Sequence, residues 1–174
     1  MDSIEYLQAS ARTASGQFHP HLVGNALLEQ ILEQAINAGE RADAVKKTLF
    51  YGKKLAIDSL KENAQTNIST DNINPDILHA ALGLYTEATE LLENILKTLQ
   101  SKQNFDNINA FEECGDLEWY LAMLYRALER TPNEAKTANI AKLKARYPDK
   151  FNSNHAIERN VDNERQILET YANR

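Results

Sequence analysis

Two consecutive stretches of the sequence, residues 74–99 and 108–129, repeat apolar residues at the three- and four-residue spacing of an amphipathic helix. The first begins at Asn74-Pro75, an N-cap residue followed by proline at the first helical position. The two apolar stripes are Ala81, Leu84, Ala88, Leu91, Ile95 and Leu99, and then Phe111, Cys114, Leu117, Leu121, Leu124 and Leu128. Because only a short loop separates the stretches, we expect an antiparallel helix pair that packs stripe against stripe.

The rest of the chain is also predicted to be helical, with only 6 glycines and 4 prolines in 174 residues. Further helices are expected over residues 3–12, 22–51 with an interruption or bend at Gly39, 55–64, 132–147 behind a Thr131–Glu134 capping box, and 161–171. The predicted fold class is all-α: a helical bundle built on an antiparallel central helix pair, with an additional N-terminal helical segment. The polar run QTNISTDNINPD separates an N-terminal segment, residues 1–72, from a bundle, residues 73–174.

Composition excludes several classes of function. A net charge of −6 disfavours binding to the backbone of polymeric nucleic acid. Cys114 is the single cysteine, so an internal disulfide and a cysteine-rich zinc site are both excluded. No apolar run reaches membrane-spanning length, and the first residues lack the pattern of a secretory signal. We therefore expect a cytoplasmic protein.

Four carboxylates border the two apolar stripes. Glu87 and Glu90 stand three residues apart on the first helix, as Glu113 and Asp116 do on the second, so each pair shares a face. In an antiparallel pair, both sets can meet near the seam. Four carboxylates that close cannot all stay ionised without a cation, because like charges raise each other's pKa. Hard oxygen ligands suit Mg²⁺, with Mn²⁺ as a substitute. A solvated acidic face is the alternative interpretation, and spacing alone does not decide between the two.

The segments LHAALGLYTEATELLENIL and NINAFEECGDLEWYLAML resemble the paired ExxE and ExxD helices of the MazG-like all-α nucleoside triphosphate pyrophosphohydrolases. ANIAKLKARYPDKF resembles the following helix of that family, and the resemblance covers about residues 78–151. It implies that the metal ligands and catalytic residues are Glu87, Glu90, Glu113 and Asp116. It also implies that the substrate phosphates are contacted by Asn139, Lys142, Arg146 and Tyr147.

The resemblance implies a function as well: Mg²⁺-dependent hydrolysis of an NTP or dNTP to the monophosphate and pyrophosphate, by a homodimer or homotetramer. The alternative is a non-catalytic helical module that binds a nucleotide or a protein partner. Two departures from the family pattern are visible. Thr89 stands where the family usually has glycine, and the run KKTLFYGKK lies upstream of the acid pairs, which leaves the role of Lys53 and Lys54 open. The first helices are compatible with a diverged partial repeat.

Other candidate residues have simpler expected roles. Trp119 and Tyr120 can stack on a base, although aromatic residues on a core helix more often pack. His19 and His21 flank a proline in a loop without nearby acids, which argues against a metal site. We expect His79 at the surface or at a helix cap, and Cys114 as a small buried side chain.

Overall fold

A computed structural model describes residues 1–55, 71–101 and 103–172, and within these ranges it contains seven α-helices and no strand. The helices are α1 (Ser3–Ala11), α2 (Asn25–Tyr51), α3 (Pro75–Ser101), α4 (Asn107–Ala127), α5 (Pro132–Arg146), α6 (Ser153–Ile157) and α7 (Val161–Ala172). The predicted all-α class is confirmed. The predicted helix over residues 55–64 lies almost entirely outside the described residues.

The chain forms two compact units. Pro20–Glu129 makes a contiguous unit from α2, α3 and α4, and Met1–His19 joins Arg130–Arg174 in a split unit that holds α1, α5, α6 and α7. Helix α2 therefore packs with α3 in the same unit. The predicted division at residues 72 and 73 stays a prediction, because half of the polar run around it lies outside the described residues.

The α3–α4 pair of the contiguous unit is joined by a short loop that one side chain fixes. The Asn94 amide on α3 donates to the backbone carbonyl of Asp106 at 2.8 Å and accepts from the backbone N–H of Asp106 at 3.2 Å. The Asp106 carboxylate in turn caps α4 by accepting from the backbone N–H groups of Ile108 and Asn109. These bonds return the chain alongside α3, as the predicted helix pair requires.

Gly39 does not interrupt α2, which runs unbroken from Asn25 to Tyr51, so the predicted interruption is wrong, and the alternative of a bend stays a prediction. The glycine is buried where α2 meets α3, and a Cβ added at Gly39 would lie 2.3 Å from Oγ1 of Thr89. Packing against α3 offsets the low helix propensity of glycine. Gly39 therefore allows close contact between the two helices, and it makes room for Thr89.

Helix α4 turns a different face to α3 than its apolar stripe predicts. Glu113 and Tyr120 are buried, whereas Phe111 is 82% exposed and Cys114 and Leu128 are also exposed. The reason is geometric: residues two apart lie about 200° around a helix, so burial of Glu113 turns Phe111 outward. The predictions that Phe111 and Leu128 pack in the seam and that Cys114 is buried are wrong.

Two predicted helix starts are confirmed. The Asn74 side chain accepts from the backbone N–H of Asp76 at 2.9 Å, directly before Pro75. Thr131 and Glu134 form a reciprocal capping box at the start of α5, with Pro132 in the first turn. The short helix α6 was not predicted, and it begins where the Asn152 side chain accepts from two backbone N–H groups.

In the split unit, α1 and α5 are held together by polar bonds. The Arg12 guanidinium donates to the carbonyls of Tyr147 at 3.1 Å and Pro148 at 3.2 Å, and it also contacts the carbonyl of Asp149. These carbonyls follow the end of α5, where backbone acceptors lack helical partners. The Asn139 amide on α5 donates to the Tyr6 hydroxyl on α1 at 2.9 Å.

Candidate metal centre

Helices α3 and α4 bring three carboxylates together. Glu87, Glu90 and Glu113 each offer a carboxylate oxygen, and the three oxygens lie within 4.8 Å of one another. The three-residue spacing puts Glu87 and Glu90 on one face of α3, and the rotation of α4 turns Glu113 toward them. Such a group can bind a divalent cation, although acidic groups also occur on protein surfaces without one.

Glu113 supplies the observation that favours a cation. Its residue is 2% exposed, and one oxygen, Oε1, accepts from the Asn109 amide at 2.7 Å. The other oxygen, Oε2, is buried and has no hydrogen-bond partner among the residues that the structure describes. A buried polar atom without a partner is costly, so a missing ligand is the natural explanation.

The electrostatics of Glu113 agree with this geometry. Burial raises the pKa of its carboxyl, the bond from Asn109 opposes the shift, and the charges of Glu87 and Asp116 add to it, so that the pKa lies above its ordinary value. Glu90 is exposed, yet partial desolvation and the charges of Glu113 and Glu87 raise its pKa as well. Carboxylates that repel one another in this way are stabilised by a cation.

Asp116 differs from the other three predicted ligands. It is exposed and is not one of the three carboxylates that lie within 4.8 Å of one another. Its charge still acts on Glu113. A role as a fourth ligand stays a prediction.

A buried lysine adjoins the carboxylates. The Lys46 ammonium on α2 lies 2.8 Å from Oγ1 of Thr86, 3.2 Å from Oδ1 of Asp43 and 3.5 Å from Oε1 of Glu87. It also lies 5.1 Å from the centre of the Tyr120 ring. Lys46 is only 4% exposed, and these contacts use the three donors that an ammonium has.

The surroundings keep Lys46 charged. Burial alone would lower the pKa of its ammonium, but the interactions with Tyr120, Asp43 and Glu87 together raise the pKa above its ordinary value. Burial likewise raises the pKa of Asp43, and hydrogen bonds from Lys47 and Lys46 outweigh that effect, so the pKa of Asp43 is lowered. Lys46 is thus a fixed positive charge beside the carboxylates.

Aromatic side chains surround the lysine end of the site. Tyr120 is buried over Gly83, where an added Cβ would lie 2.1 Å from the ring, and Trp119 beside it is 53% exposed. His79 is buried and stacks on Phe50 with ring centres 4.0 Å apart, so the prediction of a surface or capping histidine is wrong. Burial and the charge of Lys46 lower the pKa of His79, which favours its neutral form.

The four predicted phosphate contacts belong to the split unit. Asn139 is bonded to Tyr6, and Tyr147 is 4% exposed with its ring 5.6 Å from that of Phe151. Arg146 donates through Nε and Nη2 to both oxygens of Glu164, at 2.7 and 2.5 Å.

Lys142, the fourth of these residues, is half-buried. The bonds of Asn139 and Arg146 show that these side chains have structural partners. Their contact with phosphate stays a prediction.

Sequence reasoning missed Lys46, Asp43 and Asn109 as neighbours of the acids. Asn109 could have been found, because it stands four residues before Glu113 on the same helix. Lys46 lies in the displaced run KKTLFYGKK, in which Lys53 and Lys54 are exposed and Lys46 is the residue that contacts the site. Nothing in the sequence singles out the first lysine of that run.

Comparison with known proteins adds no relative: no family model, curated protein or solved structure matches the chain. Among the described residues, no helix is both long and apolar enough to cross a membrane.

Proposed function

We propose that the chain is a metal-dependent nucleoside triphosphate pyrophosphohydrolase, which converts an NTP or dNTP to the monophosphate and pyrophosphate. The observation that carries the proposal is the three-carboxylate group of Glu87, Glu90 and Glu113, in which Glu113 has a buried oxygen without a hydrogen-bond partner in the described part of the chain. The class of substrate comes from the resemblance of the two acid-bearing helices to the MazG-like family. Mg²⁺ is the expected ion, and Mn²⁺ is its expected substitute.

Each carboxylate has a distinct part in this proposal. Glu113 and Glu87 each have one oxygen held by protein donors, Asn109 in one case and Lys46 with Thr86 in the other. The second oxygen of Glu113 and that of Glu87 would bind the cation, together with an oxygen of Glu90. A bound Mg²⁺ supplies neutralisation of triphosphate charge and activation of a water. Cleavage breaks the bond between the α-phosphorus and its bridging oxygen, and the water oxygen takes its place on phosphorus.

The triphosphate of the substrate carries more negative charge than one divalent ion neutralises, so further cationic groups are needed. Lys46 is saturated by its own contacts, and Arg146 is paired with Glu164. The family resemblance implies Lys142 as a phosphate contact, and that role remains part of the proposal. An oligomer in which subunits share a site, as the family resemblance implies, remains part of the proposal.

A nucleotide panel tests the proposed function. The protein is incubated with each NTP and dNTP in Mg²⁺ or in EDTA, and monophosphate and pyrophosphate are measured. We expect both products from at least one nucleotide, in Mg²⁺ only. If no nucleotide yields them, the enzyme proposal fails; Mg²⁺-dependent binding without turnover would then identify a non-catalytic nucleotide-binding module.

Substitutions of the acids test whether the activity depends on this site. Glu113→Ala and Glu90→Ala should each abolish turnover while leaving the helical circular dichroism spectrum intact. Glu112→Ala is the matched control, because Glu112 is the exposed neighbour of Glu113 on the same helix. Activity retained in Glu113→Ala would show that the metal ligands are misassigned.

A further inference from the structure

The Lys46 ammonium occupies a cage of oxygen atoms. Oγ1 of Thr86, Oδ1 of Asp43 and Oε1 of Glu87 surround it at 2.8 to 3.5 Å, and the Tyr120 ring lies on one side. Two of the three oxygens belong to carboxylates. Oxygen cages of this composition also bind divalent ions, so the ammonium stands where a metal ion could be held.

The buried glutamates are divided between this cage and the candidate metal centre. Glu87 directs Oε1 to Lys46 and to the Thr86 hydroxyl, which lies 3.1 Å away. Glu113 directs Oε1 to Asn109 and leaves Oε2 buried and unpartnered among the described residues. Glu87 and Glu113 therefore each have one oxygen left for a cation, and Glu90 adds a third ligand. Three single oxygens suit one Mg²⁺ that keeps its other positions for water or phosphate.

The net charge of the three glutamates and Lys46 also indicates a single divalent ion. The three glutamates carry three negative charges and Lys46 one positive charge, so these four groups have a net charge of −2, which one divalent ion neutralises. Asp116 adds a negative charge beside Glu113, but it is exposed to solvent. Asp43 adds a negative charge, but Lys47 contacts it through its second oxygen and balances it. A second divalent ion would place uncompensated positive charge beside the buried ammonium.

We infer that Lys46 is a built-in replacement for a second metal ion, so that the site holds one divalent cation instead of a pair. The inference rests on the metal site of the proposed function, and it adds the number of ions and the residue that sets this number. Lys46 is on this reading a positioning residue, because it acts through Glu87. Sites with two metal ions hold them about 3.5–4 Å apart, and here the ammonium already occupies the oxygen cage that a second ion would need.

Counting bound Mn²⁺ tests the inference without any measurement of turnover. Equilibrium dialysis gives the number of ions per chain, and electron paramagnetic resonance distinguishes an isolated ion from a coupled pair. Ions that persist in Glu113→Ala are subtracted as binding elsewhere. We expect one ion in the native protein with the six-line signal of isolated Mn²⁺, and two ions with a broadened signal in Lys46→Ala, a twofold rise.

Lys47→Ala is the matched control, since Lys47 also contacts Asp43 but is 41% exposed at its side chain. It should keep one ion. Two ions in the native protein would overturn the inference, as would one ion in a folded Lys46→Ala; if that variant does not fold, the native count decides. One bound ion without hydrolysis of any nucleotide would refute the proposed function and leave this inference standing, whereas two native ions with hydrolysis would do the opposite.

Discussion

The two units each bury a glutamate, and the two glutamates have opposite surroundings. Glu113 of the contiguous unit is 2% exposed and Glu164 of the split unit is 4% exposed. Both oxygens of Glu164 accept from arginine: Arg146 at 2.7 and 2.5 Å, and Arg159 at 3.5 and 2.6 Å. Glu113 has one neutral donor, and its other oxygen has no partner within residues 1–55, 71–101 and 103–172.

Burial acts to raise the pKa of both glutamates, and their different partners decide the direction of each net shift. The bonds from Arg146 and Arg159 outweigh desolvation and lower the pKa of Glu164 to about 2. Desolvation and neighbouring acids raise the pKa of Glu113. A buried acid whose oxygens are all bonded stabilises the fold, whereas one with a free oxygen among other acids is prepared for a ligand.

The largest expected effect is on metal affinity. Glu113→Gln keeps the shape of the side chain and removes its charge, so we expect Mn²⁺ affinity to fall at least about 100-fold, the upper range for loss of a supporting residue at metal sites. Glu164→Gln is the matched change in the other unit and should leave Mn²⁺ affinity unchanged. Calorimetric titration of both variants measures this, and equal losses in the two would remove the functional distinction between the glutamates.

The same two variants should have the reverse effect on stability. Glu164→Gln removes charge-assisted hydrogen bonds to two arginines and should lower the free energy of unfolding by about 2 kcal/mol. Glu113→Gln relieves repulsion among the carboxylates, so the metal-free protein should lose no stability. Urea unfolding in EDTA provides the comparison. A larger loss in Glu113→Gln than in Glu164→Gln would contradict it.

A smaller loss of metal affinity is expected when the hydrogen-bond partner of Glu113 is removed. Asn109→Ala removes the amide that holds Oε1, and loss of a residue that orients a metal ligand costs about 10-fold in affinity. Asn107→Ala, on the same turn of α4, is the control. Mn²⁺ titration of both variants is the measurement, and unaltered affinity in Asn109→Ala would mean that Glu113 needs no orientation.

The smallest expected effect is the change of stability with pH, because the contributions of the two glutamates change in opposite directions as pH falls. Glu164 has a folded pKa below its unfolded value, so its stabilisation is complete above about pH 4.5 and is lost as pH falls toward 2. Glu113 has a raised folded pKa, so its unfavourable contribution is present at neutral pH and is relieved as pH falls.

Carboxyl carbon-13 chemical shifts of the metal-free protein report both titrations separately. Glu164 should titrate near pH 2 and Glu113 above its ordinary value. If both midpoints fell near 4.5, the comparison between the two glutamates would lose its electrostatic basis.

Local signals in the sequence predicted every described α-helix except α6, and they grouped two glutamates of α3. Helical spacing and caps such as Thr131 with Glu134 act within one turn, so helix starts could be identified without the fold. The same spacing grouped Glu87 with Glu90. Which side of α4 faces α3 could not be predicted, because the stripe through Phe111 suggested another rotation and burial of Glu113 decides it.

The contacts of α2 with α3 could not be predicted from the sequence. Lys46 meets Thr86 and Glu87 from about forty residues away, and a run with several lysines does not reveal which one is buried. The close contact of Gly39 with Thr89 was hidden for the same reason, since a glycine within a helical pattern predicts a bend unless its packing partner is known.

The bond from Arg12 to the end of α5 sets an order of events during synthesis. Its acceptors Tyr147 and Pro148 follow it by 135 and 136 residues, so at ribosomal rates α1 waits roughly 7 to 27 s for them. The contiguous unit is synthesised entirely within that interval. Nascent chains should therefore assemble the carboxylate site first, and Arg12 should gain its acceptors only after Tyr147 and Pro148 have emerged.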